Sequence, residues 1–525
     1  MTSAHCFHHF HVVIRRLFSH SGTLLLLIFA WKIALLVFSA QPIPSNDAFF
    51  YDGPVVNFLL NGRYINPSLT LALPISGTQV FCAYPPLYQG VLLAWMFVCG
   101  TSAFSAIAFH IVLFGGCLLL LFGIFRKLLV PPWCAGMGAL FLFVLTFHDR
   151  PDTLAHLFGL AAIYSWSRHS LSPSVKAQSL VAILCILAIA TSLQLGAVYI
   201  CVVWVATLGA SLLLRENFLV LPMLATILVP IALVAWVRFG FPLWWTGFLE
   251  HARQTPSFTG LRIPRLVELL KILRTAPGII CTVFFLPLLL RRWKSILQQP
   301  RHNQLLGILL LSSTIASLGV IAASMFFWTP NAVFMTCFLQ PLIVAGCLTV
   351  TPLFVHRPRM LSVQTAAFIG LAALGAIRAI GMTTWGLACA HDFGYSAAIQ
   401  EVSTELENVG EEPVVLSSAY LYEAARHPNV RAIHSDWLAP ASRDEPNHDL
   451  AGLIKLKPAK LILTQFDYYR RYRNVCAALQ ARPELVSLQV ADAAHLRTPD
   501  SFKSIQQVIQ HISWAPVVVT MSWKN

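Results

Sequence analysis

The run SGTLLLLIFAWKIALLVFSA at residues 21–40 is apolar apart from Lys32 and long enough to cross the ~30 Å hydrocarbon core of a bilayer. Arg15 and Arg16 precede it, so the positive-inside rule places its start inside and its end outside. It is longer than a usual signal h-region and ends in Val-Phe-Ser-Ala rather than a small-x-small site, so it reads as an anchor and not a cleaved leader.

The next stretch, SNDAFFYDGPVVNFLLNGRY at residues 45–64, sets two carboxylates, Asp47 and Asp52, among aromatic residues in the first outer loop. Pro54 fits the first turn of a helix and Asn61-Gly62 can end one, which predicts a short helix over 54–61 with Asp52 just ahead of it. Its apolar residues would lay that helix in the membrane surface and hold the acids at the interface. The plainer alternative is an ordinary interfacial loop.

Composition agrees with a polytopic membrane protein. The chain has 525 residues, is 57% hydrophobic and 11% charged, and has a mean hydropathy of +0.68. Its net charge of +14 lies in short clusters between apolar runs rather than in one stripe, which argues for membrane topology and against nucleic acid. Most of the twelve cysteines sit in apolar runs, and no CxxC pair or zinc spacing occurs. Cys82, Cys389 and Cys476 face the outside in this reading and are left as free thiols. His5, His8, His9 and His11 read as a solvated tail rather than a metal site.

Taken in order, YPPLY at 84–88 opens an apolar run that stops near Gly100, short for a span and better read as an interfacial or re-entrant helix. Spans follow over about 103–125, 132–147, the run after Asp152, a pair within 178–214, and 218–237. With 86–100 kept out of the count, Arg126-Lys127, Arg168, Lys176 and Arg215 fall inside, and His148-Asp149-Arg150-Pro151-Asp152 falls outside with Asp47 and Asp52. Residues 238–274 form an outer loop in which His251, Arg253, Arg262, Arg265, Lys271 and Arg274 oppose only Glu250 and Glu268. Such an excess is either the freedom of a long loop or a seat for an anionic lipid headgroup. Further spans near 276–290, 304–326, 331–350 and 361–383 bring the total to about eleven, with interfacial helices besides.

From about Trp385 the composition becomes that of a soluble domain. Residues 410–418 and 457–464 each end in a short apolar strand, 516–520 adds a later one, and helical patterns at Ile399–Asn408 and Tyr468–Leu479 alternate with them, which predicts a small extracytoplasmic α/β layer over 385–525 beside a membrane domain over 1–384. No Gly-rich phosphate loop occurs there, and His434, Asp436, His448 and Asp449 read as surface residues rather than a metal site.

Two acidic segments beside a basic loop on one outer face suit sugar transfer from a lipid-phosphate donor. A carboxylate deprotonates the acceptor hydroxyl while arginine stabilises the departing phosphate. Phosphate is a fair leaving group, so no paired general acid is needed.

The order of an anchor helix, Asn-Asp-Ala-Phe-Phe-Tyr-Asp, Tyr-Pro-Pro-Leu-Tyr, and Arg150-Pro151-Asp152 ahead of a span resembles the C-type glycosyltransferases, in particular the protein-mannosyltransferase and aminoarabinose-transferase-like group. The resemblance covers about the first 170 residues, with a many-helix pattern and an outer domain beyond. It implies a polyprenyl-phosphate sugar donor, a lipid, glycan or protein acceptor, inversion at the anomeric carbon, and a site facing out of a bacterial cytoplasmic membrane. In that family an Asp-Glu pair opens the first outer loop and supplies the base. Asn46-Asp47 stands at that place here, which moves the base to Asp47 or Asp52, and Asp152 matches the second-loop acid. Asp47 is the first candidate base, with Asp52 and Asp152 supporting the acceptor or a metal, and Arg150, His251 and Arg253 near the donor phosphate. A divalent cation bridging acids and phosphate fits this scheme, although no ligand set demands one. The rival reading is a transporter or lipid flippase. That would be marked by an inverted repeat and ionisable residues at mid-membrane, whereas the sequence shows no repeat and only Lys32 deep in a span. A non-catalytic membrane scaffold for the outer domain is a third.

Overall fold

The structure is a computed structural model of the chain. It describes residues 21–37, 46–66, 85–144, 150–171, 174–214, 220–240, 293–326, 336–353, 364–370, 395–427, 429–435, 447–492 and 515–524, with single positions between them. Within these residues the chain is mostly helical and carries one small sheet.

The run read as an anchor forms α1 (Ser21–Val37), a 17-residue apolar helix that is shorter over the described residues than a full span, and the acidic stretch forms α2 (Asn46–Asn61). This second helix begins eight residues earlier than expected, and Pro54 lies inside it rather than in its first turn. The residue before a proline is normally driven from helical conformation by a clash with its own Cβ. Gly53 has none, so the helix runs through. The same bare position admits the Asn66 side chain, whose Nδ2 would lie 2.5 Å from a Cβ built on Gly53.

After α2 come α3 (Leu87–Cys99), α4 (Ala103–Lys127), α5 (Pro132–Leu140), α6 (Asp152–Leu171), α7 (Val175–Thr191), α8 (Leu193–Leu214) and α9 (Val220–Gly240), then α10 (Arg301–Phe326) and α11 (Leu339–Val350). With 13 residues, α3 rises about 20 Å, too little for a span, as its length in the sequence implied. The expected span over 132–147 is instead the nine-residue α5 followed by a 3₁₀ turn at Phe141–Val144. Among the described residues, α4, α8 and residues 301–323 of α10 are long and apolar enough to cross a membrane, so the chain is a multi-pass membrane protein. The spans expected near 276–290 and 361–383 lie largely outside the described residues.

α6 is long enough to span but is less apolar, because Asp152, Thr153, His156, Ser165, Ser167, His169 and Ser170 are all buried along it. A helix with so many polar groups is sustained by surrounding protein rather than lipid. It packs against α4, α7, α8 and α10. Gly159 makes this centre close, since the Tyr199 ring of α8 lies 2.1 Å from where a Cβ would stand.

The C-terminal region folds as α12 (Tyr395–Glu407), β1 (Pro413–Leu416), α13 (Leu421–Ala424), β2 (Arg431–His434), α14 (Asn447–Leu456), β3 (Lys460–Thr464), α15 (Arg473–Gln480), β4 (Leu485–Asp492) and β5 (Pro516–Trp523). The sheet order is β2-β1-β3-β5-β4, parallel across the first three strands and antiparallel across the rest. Side chains alternate as the pleat requires. Val415, Leu461 and Val519 pack on α14 and α15, while Val414, Leu416 and Ile462 join α12 and α13. This second face does not end at the sheet. Its cluster continues through Tyr420, Leu421 and Tyr422 into Tyr51, Val55 and Val56 of α2 and Tyr88 and Leu92 of α3. The Tyr422 hydroxyl donates to the carbonyls of Thr101 and Ser102, at 3.2 and 3.4 Å, where α4 begins.

Candidate active site

Asp52 is fully buried, not set in an exposed loop. It projects from α2 toward α3, where the Tyr88 hydroxyl donates to its Oδ1 at 2.8 Å. The same hydroxyl lies 3.0 Å from Nε2 of His110 on α4, and the tyrosine and histidine rings stack with centroids 5.9 Å apart. Around this chain, Gln89 donates to the Tyr51 carbonyl at 3.4 Å and accepts from the Tyr64 hydroxyl at 2.5 Å. Asn57 donates to the Ile65 carbonyl at 2.9 Å, which folds the chain after α2 back onto it.

Asp47 lies in the first turn of α2, five residues before Asp52, so the two acids are roughly 140° apart around the helix. They belong to different faces rather than to one loop. The surroundings of the Asp47 side chain fall outside the described residues.

Asp152 opens α6. Arg150 Nε contacts its Oδ2 at 2.8 Å, and the Ser192 hydroxyl from the α7–α8 junction donates to Oδ1 at 3.3 Å. Unlike Asp52 it is partly open, with 12% of its side chain exposed beside 18% for Arg150. One turn along α6, His156 Nδ1 meets the Tyr199 hydroxyl at 2.8 Å and its Nε2 lies 3.2 Å from Cys337 Sγ.

α4 ties the two acids together. His110 stands behind Asp52, and Cys117 Sγ lies 3.8 Å from the carbonyl of Thr153, the neighbour of Asp152. Seven residues separate His110 from Cys117, so they share one face about 10 Å apart along the axis. One face of α4 thus touches the surroundings of Asp52 at His110 and of Asp152 at Cys117. His251 and Arg253 lie outside the described residues, and among the described residues no group of three or more metal-ligating side chains is assembled.

An apolar cavity of about 380 Å³ lies between Leu87 and Gly90 of α3, Ile189 and Leu193 at the α7–α8 junction, and Leu233 and Val234 of α9.

Sequence reasoning passed over Tyr88, His110 and Ser192. The first was in view in the Tyr-Pro-Pro-Leu-Tyr motif, and a histidine inside an apolar span is itself a signal. Nothing in the sequence singles out Ser192.

No protein-family profile matches the chain, and no curated protein matches it. It is similar in fold to two solved structures of ArnT from Cupriavidus metallidurans, one bound to undecaprenyl phosphate and one in the apo state. Each is 13% identical, with a TM-score of 0.49 over 94% of this chain and 97% of that one. This is a likeness of outline, and the chemistry of the site rests on its own residues.

Proposed function

We propose that this chain is an integral-membrane glycosyltransferase that moves a sugar from a polyprenyl-phosphate carrier to an acceptor on the outer face of a bacterial cytoplasmic membrane. The observation that carries the reading is the pair of buried carboxylates held by polar partners within a helical membrane protein, Asp52 by Tyr88 and Asp152 by Arg150 and Ser192. The apolar cavity between α3, the α7–α8 junction and α9 suits an isoprenoid tail, and the Asp152–Arg150 pair suits a charged, sugar-bearing head.

In this scheme the acceptor hydroxyl attacks the anomeric carbon, a carboxylate takes its proton, and the bond from that carbon to the phosphate oxygen breaks. The polyprenyl phosphate departs with the electron pair. Asp47 is the base, since Asp52 is sealed beneath Tyr88 and Asp152 is engaged with Arg150. Asp152 orients Arg150 toward the departing phosphate, with His251 and Arg253 as further partners of that group. A divalent ion between an acid and the phosphate would serve the same end, and chelation would then stop turnover.

The membrane domain extends to about residue 384 with about eleven spans, and the remainder is an extracytoplasmic domain. The test is purified protein in detergent with a panel of polyprenyl-phosphate sugars, read as release of polyprenyl phosphate. Turnover of none, together with substrate movement across proteoliposomes, would favour the transporter reading.

A further inference from the structure

Tyr88 has a single hydroxyl hydrogen, and among the described residues Asp52 Oδ1 at 2.8 Å and His110 Nε2 at 3.0 Å are buried groups within hydrogen-bond reach of its oxygen. An ionised carboxylate only accepts, so the tyrosine hydrogen points to Asp52, and the second contact is a hydrogen bond only if His110 carries its hydrogen on Nε2 and donates to the tyrosine oxygen. All three groups are closed from solvent, where an unmatched contact of this kind is costly and bonds in series reinforce one another.

We propose that His110, Tyr88 and Asp52 form a directional chain, imidazole N–H to phenol and phenol O–H to carboxylate. It fixes Asp52 as the carboxylate and through it the orientation of α2, the helix that presents Asp47. His110 and Tyr88 are positioning residues in this account. Their three helices are independent in sequence, so the chain is a clamp: α2 is held through Asp52 on the side facing α3 and α4, while Tyr51, Val55 and Val56 of the same helix pack on Tyr420 to Tyr422 of the C-terminal domain. The catalytic consequence rests on the transferase reading, whereas the direction of the hydrogen bonds does not.

The test has two arms. In the first, the full chain is labelled with nitrogen-15 histidine, reconstituted in nanodiscs, and the His110 signal is assigned by its loss in His110→Gln. The expected result is a hydrogen on Nε2 in the unmodified protein and its transfer to Nδ1 in Asp52→Leu, where Tyr88 turns to donate to the imidazole. A bare Nε2 in the unmodified protein overturns the proposal, because the chain then runs the other way. In the second arm, His110→Leu lowers kcat about tenfold with KM for the donor unchanged, and His110→Gln, whose amide N–H reaches the Nε2 position, restores most of the loss. Equal losses in the two variants would mean that His110 only fills space and would also overturn it. Absence of transfer in the unmodified chain would count against the transferase reading alone, since the histidine signal is read without substrate.

Discussion

At the scale of single residues, the site divides its carboxylates by environment. Asp52 is sealed and held by Tyr88, Asp152 is partly open and held by Arg150 and Ser192, and Asp47 occupies the entry turn of α2. A general base contributes typically about a hundred- to ten-thousand-fold, so Asp47→Asn is expected to lower kcat by that order while leaving donor KM and expression unchanged. Asp52→Asn retains an oxygen to accept from Tyr88 and is expected to be the milder variant. If Asp52→Asn abolishes turnover and Asp47→Asn does not, the base lies at Asp52. Arg253→Ala is expected to raise donor KM about tenfold or more at nearly constant kcat, because its proposed partner is phosphate. The acids themselves were legible in the sequence, because carboxylates beside apolar runs are rare and demand a partner. The partners were not, since a tyrosine in one helix and a histidine in another meet only through the packing of α2, α3 and α4.

At the scale of elements, the neighbours of a segment decide its form. Pro54 marks a helix start in isolation, yet Gly53 relieves the clash and the helix extends to Asn46. α6, read as a span, is too polar to face lipid and stands at the centre of the bundle, where Asp152 meets Arg150 and Ser192 and His156 meets Tyr199 of α8 and Cys337. Strands β2 and β4 were not legible because both are edge strands without a continuous apolar run, β2 reading Arg-Ala-Ile-His and β4 exposing Val486 and Val490. The tight crossing at Gly159 provides a check on α6. Gly159→Ala places a methyl group against the buried Tyr199 ring and is expected to cost about 1–3 kcal/mol, read as a lower melting temperature in detergent. A neutral result would mean that α8 is free to move away. In α15, burial pushes the Cys476 thiol up to about 12, against an ordinary cysteine near 8.5. The thiol therefore stays protonated in the folded domain at neutral pH, and the stability tied to that shift is lost only as pH rises past the unfolded thiol's range. Alkylation of Cys476 at neutral pH is expected to track unfolding of the C-terminal domain, and rapid labelling of the native protein would contradict its packing.

At the scale of the whole molecule, one apolar cluster runs from the sheet through α12 and α13 into α2 and α3, so the C-terminal domain and the acidic helix share one side of the membrane. In a cysteine-depleted background, Arg63→Cys and Glu411→Cys are expected to react with an impermeant reagent on intact cells, and Lys176→Cys only after lysis. Labelling of Arg63→Cys with protection of Glu411→Cys would contradict the shared cluster. The many-helix region and the C-terminal α/β layer were readable from hydropathy and strand alternation, whereas the union of the two was not, because cluster residues such as Tyr51 and Tyr420 are far apart in sequence. The central claim is that buried and interfacial carboxylates drive sugar transfer from a lipid-phosphate donor. Its most direct test is release of polyprenyl phosphate by the purified unmodified protein and by the triple Asp47→Asn, Asp52→Asn, Asp152→Asn variant, side by side and with donor binding measured for both. The account predicts turnover in the first and none in the second while the donor is still bound, and full turnover in the triple variant would contradict it.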